Sequence, residues 1–177
     1  MLSICIDSTD LMIKDVQKRD FSTLIQWYQD PAHYRYATGF HKIFTMNDLV
    51  TRYEELIYCK DMFYLGIYLK PYFDIIGFMK GKLRCTDHHN ILWLTSVMID
   101  LSRRRQGYGS KCIDMLIHYC KRKYDIQKIY ISVALENIEG VMFWYKKGFK
   151  EVEHIHSHKL FECVTKKIII MEKDLTG

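Results

Sequence analysis

Apolar residues along the chain fall into runs of two different periods. Leu11 to Val16 is short and apolar-rich, which predicts a strand. Behind Asp20, a candidate N-cap, Phe21, Leu24, Ile25 and Tyr28 recur at helical spacing, and Pro31 is expected to close that helix. A second helix is predicted from Thr45, where Thr45-x-x-Asp48 forms a capping-box pattern with Asp in place of Glu. Its apolar face is Leu49, Tyr53, Leu56 and Ile57.

The period then changes to two. Met62 to Leu69 and Ile75 to Leu83 read as strands joined by a turn with Pro71. After the polar segment 85–90, Ile91 to Ile99 is apolar on both faces, as expected of a central strand covered on both sides. Helical spacing returns at Gly109, Cys112, Ile113, Leu116, Ile117 and Cys120. Lys121, Arg122 and Lys123 end that helix, where its dipole favours cations. Ile129, Ile131 and Val133 alternate as a strand, and Asn137 caps a short helix that Gly148 ends. Phe149 to His156 and Cys163 to Glu172 read as a terminal antiparallel pair.

The predicted order is β-α-α-β-β-β-α-β-α-β-β. The β-α-β unit from Ile91 to Val133 requires a right-handed parallel crossover inside an otherwise antiparallel sheet. The expectation is an α/β (α+β) fold with a mixed, mostly antiparallel central sheet and helices on both faces, in one domain over residues 1–177.

Composition narrows the function classes. Apolar residues make up 49% and charged residues 27% of the 177, which excludes a disordered chain. The longest uncharged apolar stretch is too short to cross a bilayer, and Asp7, Asp10 and Lys14 interrupt any early apolar run. A cytoplasmic protein without a membrane partner is expected. The net charge of +5 suits a polyanionic small molecule as well as nucleic acid. The six cysteines form no C-x-x-C pair, and Cys112 and Cys120 read as small buried hydrophobes. His154, His156 and His158 would lie on one strand face about 7 Å apart, too far for ready shared ligation, so no metal is expected.

Two segments carry chemistry. In the first, a buried strand runs through Asp100, Leu101 and Ser102 into Arg103-Arg104-Arg105-Gln106-Gly107-Tyr108-Gly109-Ser110 and opens directly into a helix. Glycines leave backbone N–H groups uncovered, and the helix N-terminus adds a favourable dipole, so such a loop suits a phosphate or pyrophosphate. The arginines add charge and fork-shaped donors. A Walker loop would need Gly-Lys-Ser/Thr, and a dinucleotide fingerprint would need a third glycine at Cys112; neither is present. The second segment runs from Asn137 through Gly140 and an aromatic helix with Phe143, Trp144 and Tyr145 to Gly148-Phe149.

Together the segments resemble the GNAT (GCN5-related N-acetyltransferase) superfamily. Arg104-x-x-Gly107-x-Gly109 matches its pyrophosphate motif, and Asn137, Gly140, Trp144, Gly148 and Phe149 match its downstream pattern. The element order is also that of the family, so the resemblance covers nearly the whole chain. It implies direct acetyl transfer from acetyl-CoA to a primary amine. The cofactor residues it implies are Val97, Met98, Ile99 and Leu101 along the pantetheine, Arg103 to Ser110 around the phosphates, and Asn137 and Trp144 opposite. The acceptor, a small molecule or peptide amine, would meet Tyr34 and Tyr36 in the segment from Asp30 to Gly39. Many members use a tyrosine four residues before Gly-Phe as general acid. Trp144 holds that position here, so Tyr145, about 100° further round the helix, is the candidate acid. Asp100 and Glu136 are the candidate bases, with a water relay as the alternative.

Two other classes compete. One is a non-catalytic acyl-CoA-binding module, suggested by the missing tyrosine. The other is a basic nucleic-acid-binding domain using Arg103 to Arg105 and Lys121 to Lys123, which would bind DNA or RNA with strong salt dependence. The enzyme reading expects no nucleic acid and a monomer or homodimer.

Overall fold

The structure is a computed structural model that describes residues 1–39, 44–85, 90–152 and 168–176. The chain begins with β1 (Cys5–Asp7) and β2 (Leu11–Asp15), followed by α1 (Phe21–Tyr28), α2 (Pro31–Thr38) and α3 (Met46–Ile57). An antiparallel meander follows: β3 (Met62–Leu69), β4 (Asp74–Cys85) and β5 (Asn90–Ile99). Then come α4 (Tyr108–Tyr124), β6 (Lys128–Ala134), α5 (Ile138–Lys146), β7 (Lys150–Glu151) and β8 (Ile168–Asp174). The strands form one sheet in the order β1-β2-β3-β4-β5-β6-β8-β7, and among the described residues β5 and β6 alone pair in parallel.

Strand alternation divides the interior into two cores. Neighbours on β3 separate them: Leu65 packs with Cys112, Ile113 and Leu116 of α4, whereas Tyr64 packs with Leu24 and Tyr28 of α1 and Leu49 of α3. Helices therefore cover both faces, as the hydrophobic pattern predicts. Cys112 and Cys120 are buried on the α4 side, and burial pushes both thiols up to about 12.

Three differences from the sequence expectations have physical reasons. Strand β1 was not anticipated, because its three residues carry little apolar signal and gain their order from pairing with β2. Pro31 does not merely end α1; it occupies the first turn of α2, where its missing N–H costs nothing. Asp30 caps that helix by accepting from the His33 amide at 3.3 Å, and left-handed Gly39 ends it. Asp20 holds the N-cap position of α1, as expected, but with helical dihedrals and no side-chain cap hydrogen bond; its carboxylate accepts instead from the Gln17 amide at 2.7 Å and the Tyr68 hydroxyl at 2.6 Å. The terminal pair is present as β7 and β8, while residues 153–167, with the three histidines and Cys163, lie outside the described residues.

The sheet carries one irregularity that matters for the site. Lys80 pairs with Ser96 but Gly81 pairs with Leu94, so Thr95 is an extra residue in β5. Such a bulge breaks the ladder locally and reverses side-chain parity. Leu92 and Leu94 face the α4 core, whereas Ser96 reaches α2 and Met98 faces the other core. The parallel β5–β6 register also stops at Leu94 opposite Ile131, and the two strands part beyond it.

Candidate active site

The parted strands open a cleft of about 790 Å³ in the middle of the sheet. One wall is β5 from Leu94 to Ile99; the other is Ile131 to Ala134 of β6 with Asn137 to Gly140. The backbone of Thr95 to Ile99 has no β6 partner, so its groups facing the gap are available to a ligand. Met98 contributes backbone only, because its side chain is buried between β5 and the first helices.

The phosphate-type loop forms one end of the cleft. Arg105 and Gly107 adopt positive φ of 62° and 84°. Left-handed residues alternating with ordinary ones make anion-binding concavities. Gly107 is the N-cap of α4, and the amides of Tyr108, Gly109 and Ser110 open the helix without carbonyl partners inside it. Lys147 braces this end by donating to Ser110 Oγ at 3.0 Å and to both Asp114 oxygens at 2.6 and 2.7 Å.

The three arginines divide their work. Arg104, the motif arginine, donates from Nε to the Ile99 carbonyl at 3.0 Å and from its terminal nitrogen to the His33 carbonyl at 3.2 Å. Its guanidinium also lies 5.2 Å from the Tyr34 ring, so it fastens the loop to α2. Arg105 pairs with Glu139 across the mouth at 2.6 Å. Arg103 lines the wall beside them.

On the opposite wall Asn137 caps α5, accepting from the Gly140 amide at 3.1 Å. A Cβ on Gly140 would lie 2.3 Å from Asn137 Nδ2, so the small residue in this pattern makes room for the asparagine. Trp144 lines the cleft yet is only 8% exposed, wedged edge-on against Phe143 and Phe149. Tyr34, Tyr36, His33 and Ala37 of α2 close the cleft from the α1–α3 side.

Several sequence candidates fall elsewhere. Tyr145 is 44% exposed and does not line the cleft, although Trp144 and Lys146 on either side of it do; its hydroxyl donates to Glu151 of β7 at 3.4 Å. Glu136 is exposed outside the wall. Asp100 is a saturated carboxylate: it accepts from Trp27 Nε1 at 2.7 Å, the Tyr34 hydroxyl at 3.1 Å, and both the amide and hydroxyl of Ser102 at 2.9 and 2.5 Å. Partial burial raises its pKa, but these hydrogen bonds outweigh burial and hold it below the ordinary carboxylate value, making it a poor base. Leu101 is also off the wall, with its amide donated to the Tyr34 hydroxyl at 3.1 Å. Gln106 points back to the Ser102 carbonyl at 3.1 Å. Lys80 of β4, which alternates with Lys82 and Arg84 along that strand, does not line the cleft.

A parted β5–β6 pair beside a glycine-opened, basic helix start defines an acyltransferase class of fold. The chain matches the acetyltransferase (GNAT) domain family over residues 13–162 and belongs to it. A spermine/spermidine N(1)-acetyltransferase of Bacillus subtilis (strain 168) is 29% identical over 90 residues, covering 49% of this chain and 58% of that protein. The chain thus spans just over half the length of the curated relatives it matches. Spermidine N-acetyltransferase from Vibrio cholerae, solved with CoA and spermine, has the same fold: the TM-score is 0.76 at 15% identity, covering 94% of this chain and 96% of that one. The Salmonella typhimurium acetyltransferase that modifies the N-terminal serine of ribosomal protein L7/L12 superimposes with a TM-score of 0.78 at 12% identity, over 97% and 99% of the two chains.

Proposed function

We propose that this chain is one N-acetyltransferase domain that moves an acetyl group from acetyl-CoA to a primary amine by direct attack. The observation that carries this reading is the joining, in one cleft, of unpaired β5 backbone with the open amides at the start of α4. The second feature suits a pyrophosphate and the first suits the amide-bearing pantetheine, which can pair as an added strand does. Arg103, Arg105 and Lys146 supply positive charge along the same cleft. Acetyl-CoA brings the activated acyl group; the chain's residues bind it, orient it and handle protons.

Among the described residues of the wall, Glu139 is the one carboxylate, and Arg105 already engages it. A polyamine is a multiple cation and gains little from such a wall. Acceptors with a single ammonium, such as an amino compound or a peptide N-terminus, therefore suit the site better than the spermine and spermidine of the Bacillus relatives' names.

Acetyl-CoA should raise the Tm of the folded protein by linkage, and Gly107→Val, which forces a β-branched residue to a φ of 84°, should remove that rise. Thiol release in the presence of single amines, peptides and polyamines then tests catalysis and ranks acceptors. A Tm rise without thiol release from any amine would favour a non-catalytic acyl-CoA-binding module. One observation favours that second reading: Trp144 stands where the family's acid tyrosine does, and Tyr145 bonds Glu151 instead.

A further inference from the structure

The two ends of the cleft differ, and its length orients an acyl-CoA within it. The open amides of α4 begin beside Ile99: a Cβ on Gly109 would lie 3.6 Å from Ile99 Cγ1. The pantetheine arm that suits the unpaired backbone is about as long as four extended residues. Led from Ile99 back along β5, it ends near Thr95 and Ser96, where the parted stretch begins. The thioester sulfur therefore falls at the end of the cleft remote from the phosphates. Helix α2 is fastened at that same end, since Ser96 Oγ donates to the Ala37 carbonyl.

Tyr36 stands beside this contact. His33, Tyr36 and Ala37, at i, i+3 and i+4, share a face of α2 that lines the cleft. Tyr36 is 39% exposed, and its hydroxyl oxygen accepts from the Arg35 guanidinium at 3.1 Å. The guanidinium also lies 4.8 Å from the centre of its ring. That hydrogen bond raises the pKa of Arg35, and the Glu136 charge adds to the effect, so a firm cation adjoins the phenol. The other proton donors of the wall, among the described residues, are placed or made differently. The Tyr34 hydroxyl donates to Asp100, past Ile99, and burial raises its pKa. His33 is held at the phosphate end, its Nδ1 bonded to Asp30 at 2.8 Å and its carbonyl to Arg104. Lys146 adjoins Lys147, which holds Ser110 at the start of α4. The Trp144 indole donates a hydrogen bond but yields no proton.

Resting on the acetyltransferase reading above, we propose that Tyr36 is the general acid of the reaction, protonating the departing CoA thiolate from α2 rather than from α5. The acceptor ammonium first loses a proton to water, and its lone pair forms the new C–N bond at the thioester carbonyl. As the C–S bond breaks, its electron pair leaves on sulfur, which takes the Tyr36 hydroxyl proton and becomes the CoA thiol. The nitrogen sheds its surplus proton to water, leaving the amide. The Tyr36 phenolate, stabilised by the Arg35 guanidinium, then regains a proton from water.

The test is acetyl transfer, in steady state and in single turnover, to the fastest acceptor among glycinamide, a tetra-alanine peptide and spermidine. Tyr36→Phe should lower kcat and the single-turnover rate about 10²–10⁴-fold. The KM for the amine and the acetyl-CoA-induced rise in Tm should not change. A residue that merely lines the acceptor pocket would instead raise KM and spare kcat, and that outcome overturns the proposal. Arg35→Met should lower kcat by less than Tyr36→Phe does. The double variant should be no slower than Tyr36→Phe alone, because the guanidinium acts through the phenol; independent, multiplying losses overturn the proposal. Tyr145→Phe should match the wild type, and a loss confined to that variant overturns it as well. Should Tyr36→Phe fail to fold, an unchanged kcat in Arg35→Met is decisive against it. Thiol release with no amine, peptide or polyamine by the wild type, with the Tm rise intact, overturns the acetyltransferase reading and this role with it. Transfer with an unaltered kcat in Tyr36→Phe overturns Tyr36 alone.

Discussion

Gly140 has no room for a side chain, and the group in its way is functional. A methyl there would press on the Asn137 amide, which both caps α5 and faces the cleft. Gly140→Ala should therefore cost about 1 kcal/mol through the weakened cap, although alanine is the better helix former. It should also weaken acetyl-CoA binding, measurable as a smaller ligand-induced rise in Tm. If Gly140→Ala gains stability as an ordinary helix substitution would, the steric account is wrong. At this scale the sequence was legible where a motif names a backbone need, as at Gly107, Gly140 and left-handed Gly148. It was not legible for the setting of Lys80, whose cage of Tyr28, Tyr64 and Phe78 is assembled from α1, β3 and β4 and leaves no local pattern.

Asp100 joins elements rather than catalysing. Its two oxygens receive Trp27 of α1, Tyr34 of α2 and Ser102 of the turn that follows β5, all donors. An asparagine must turn its NH₂ group toward some of those donors, so Asp100→Asn should destabilise by about 1–3 kcal/mol in thermal or denaturant unfolding. The sign of the pH dependence follows from its lowered folded pKa. The carboxylate's stabilisation is present above the unfolded value of about 3.9 and is lost as pH falls through the lower folded value. The variant should lack that part of the wild type's acid sensitivity, and equal acid sensitivity in the two proteins would refute this account. Elements with strong periodicity, α4 and β6 among them, were plain in the sequence. Helix α2 was not: Asp30-Pro31 serves equally as a stop for α1 and as the cap and first residue of the next helix, and the choice depends on packing against β5.

For the molecule as a whole, the antiparallel meander and the parallel crossover followed from the order of periods, and the family's motifs located the cleft within it. The details of its chemistry did not follow. A tyrosine at position 145 reads as a candidate acid by proximity in sequence, yet one step along a helix turns it from the cleft to Glu151. Arg104 likewise reads as a phosphate ligand, whereas its donors hold the carbonyls of Ile99 and His33 and fix the loop on which the other groups stand. The pattern of residue types announces that a site exists; the direction of each side chain is decided by tertiary packing.

The parting of β5 from β6 also has a kinetic consequence. A strand in the interior of a sheet ordinarily has every amide locked in a ladder and surrenders its protons to deuterium only on global unfolding. Between Thr95 and Ile99, however, β5 is laddered to β4 alone, and Thr95 itself is skipped by that ladder. The amides that face the gap should label within the time of local opening, while Leu92 and Leu94 on the same strand stay protected to the global limit. Acetyl-CoA should abolish this contrast by occupying the gap. Uniform slow exchange along β5 in the unliganded protein would mean that the sheet closes in solution and must be prised open by its ligand.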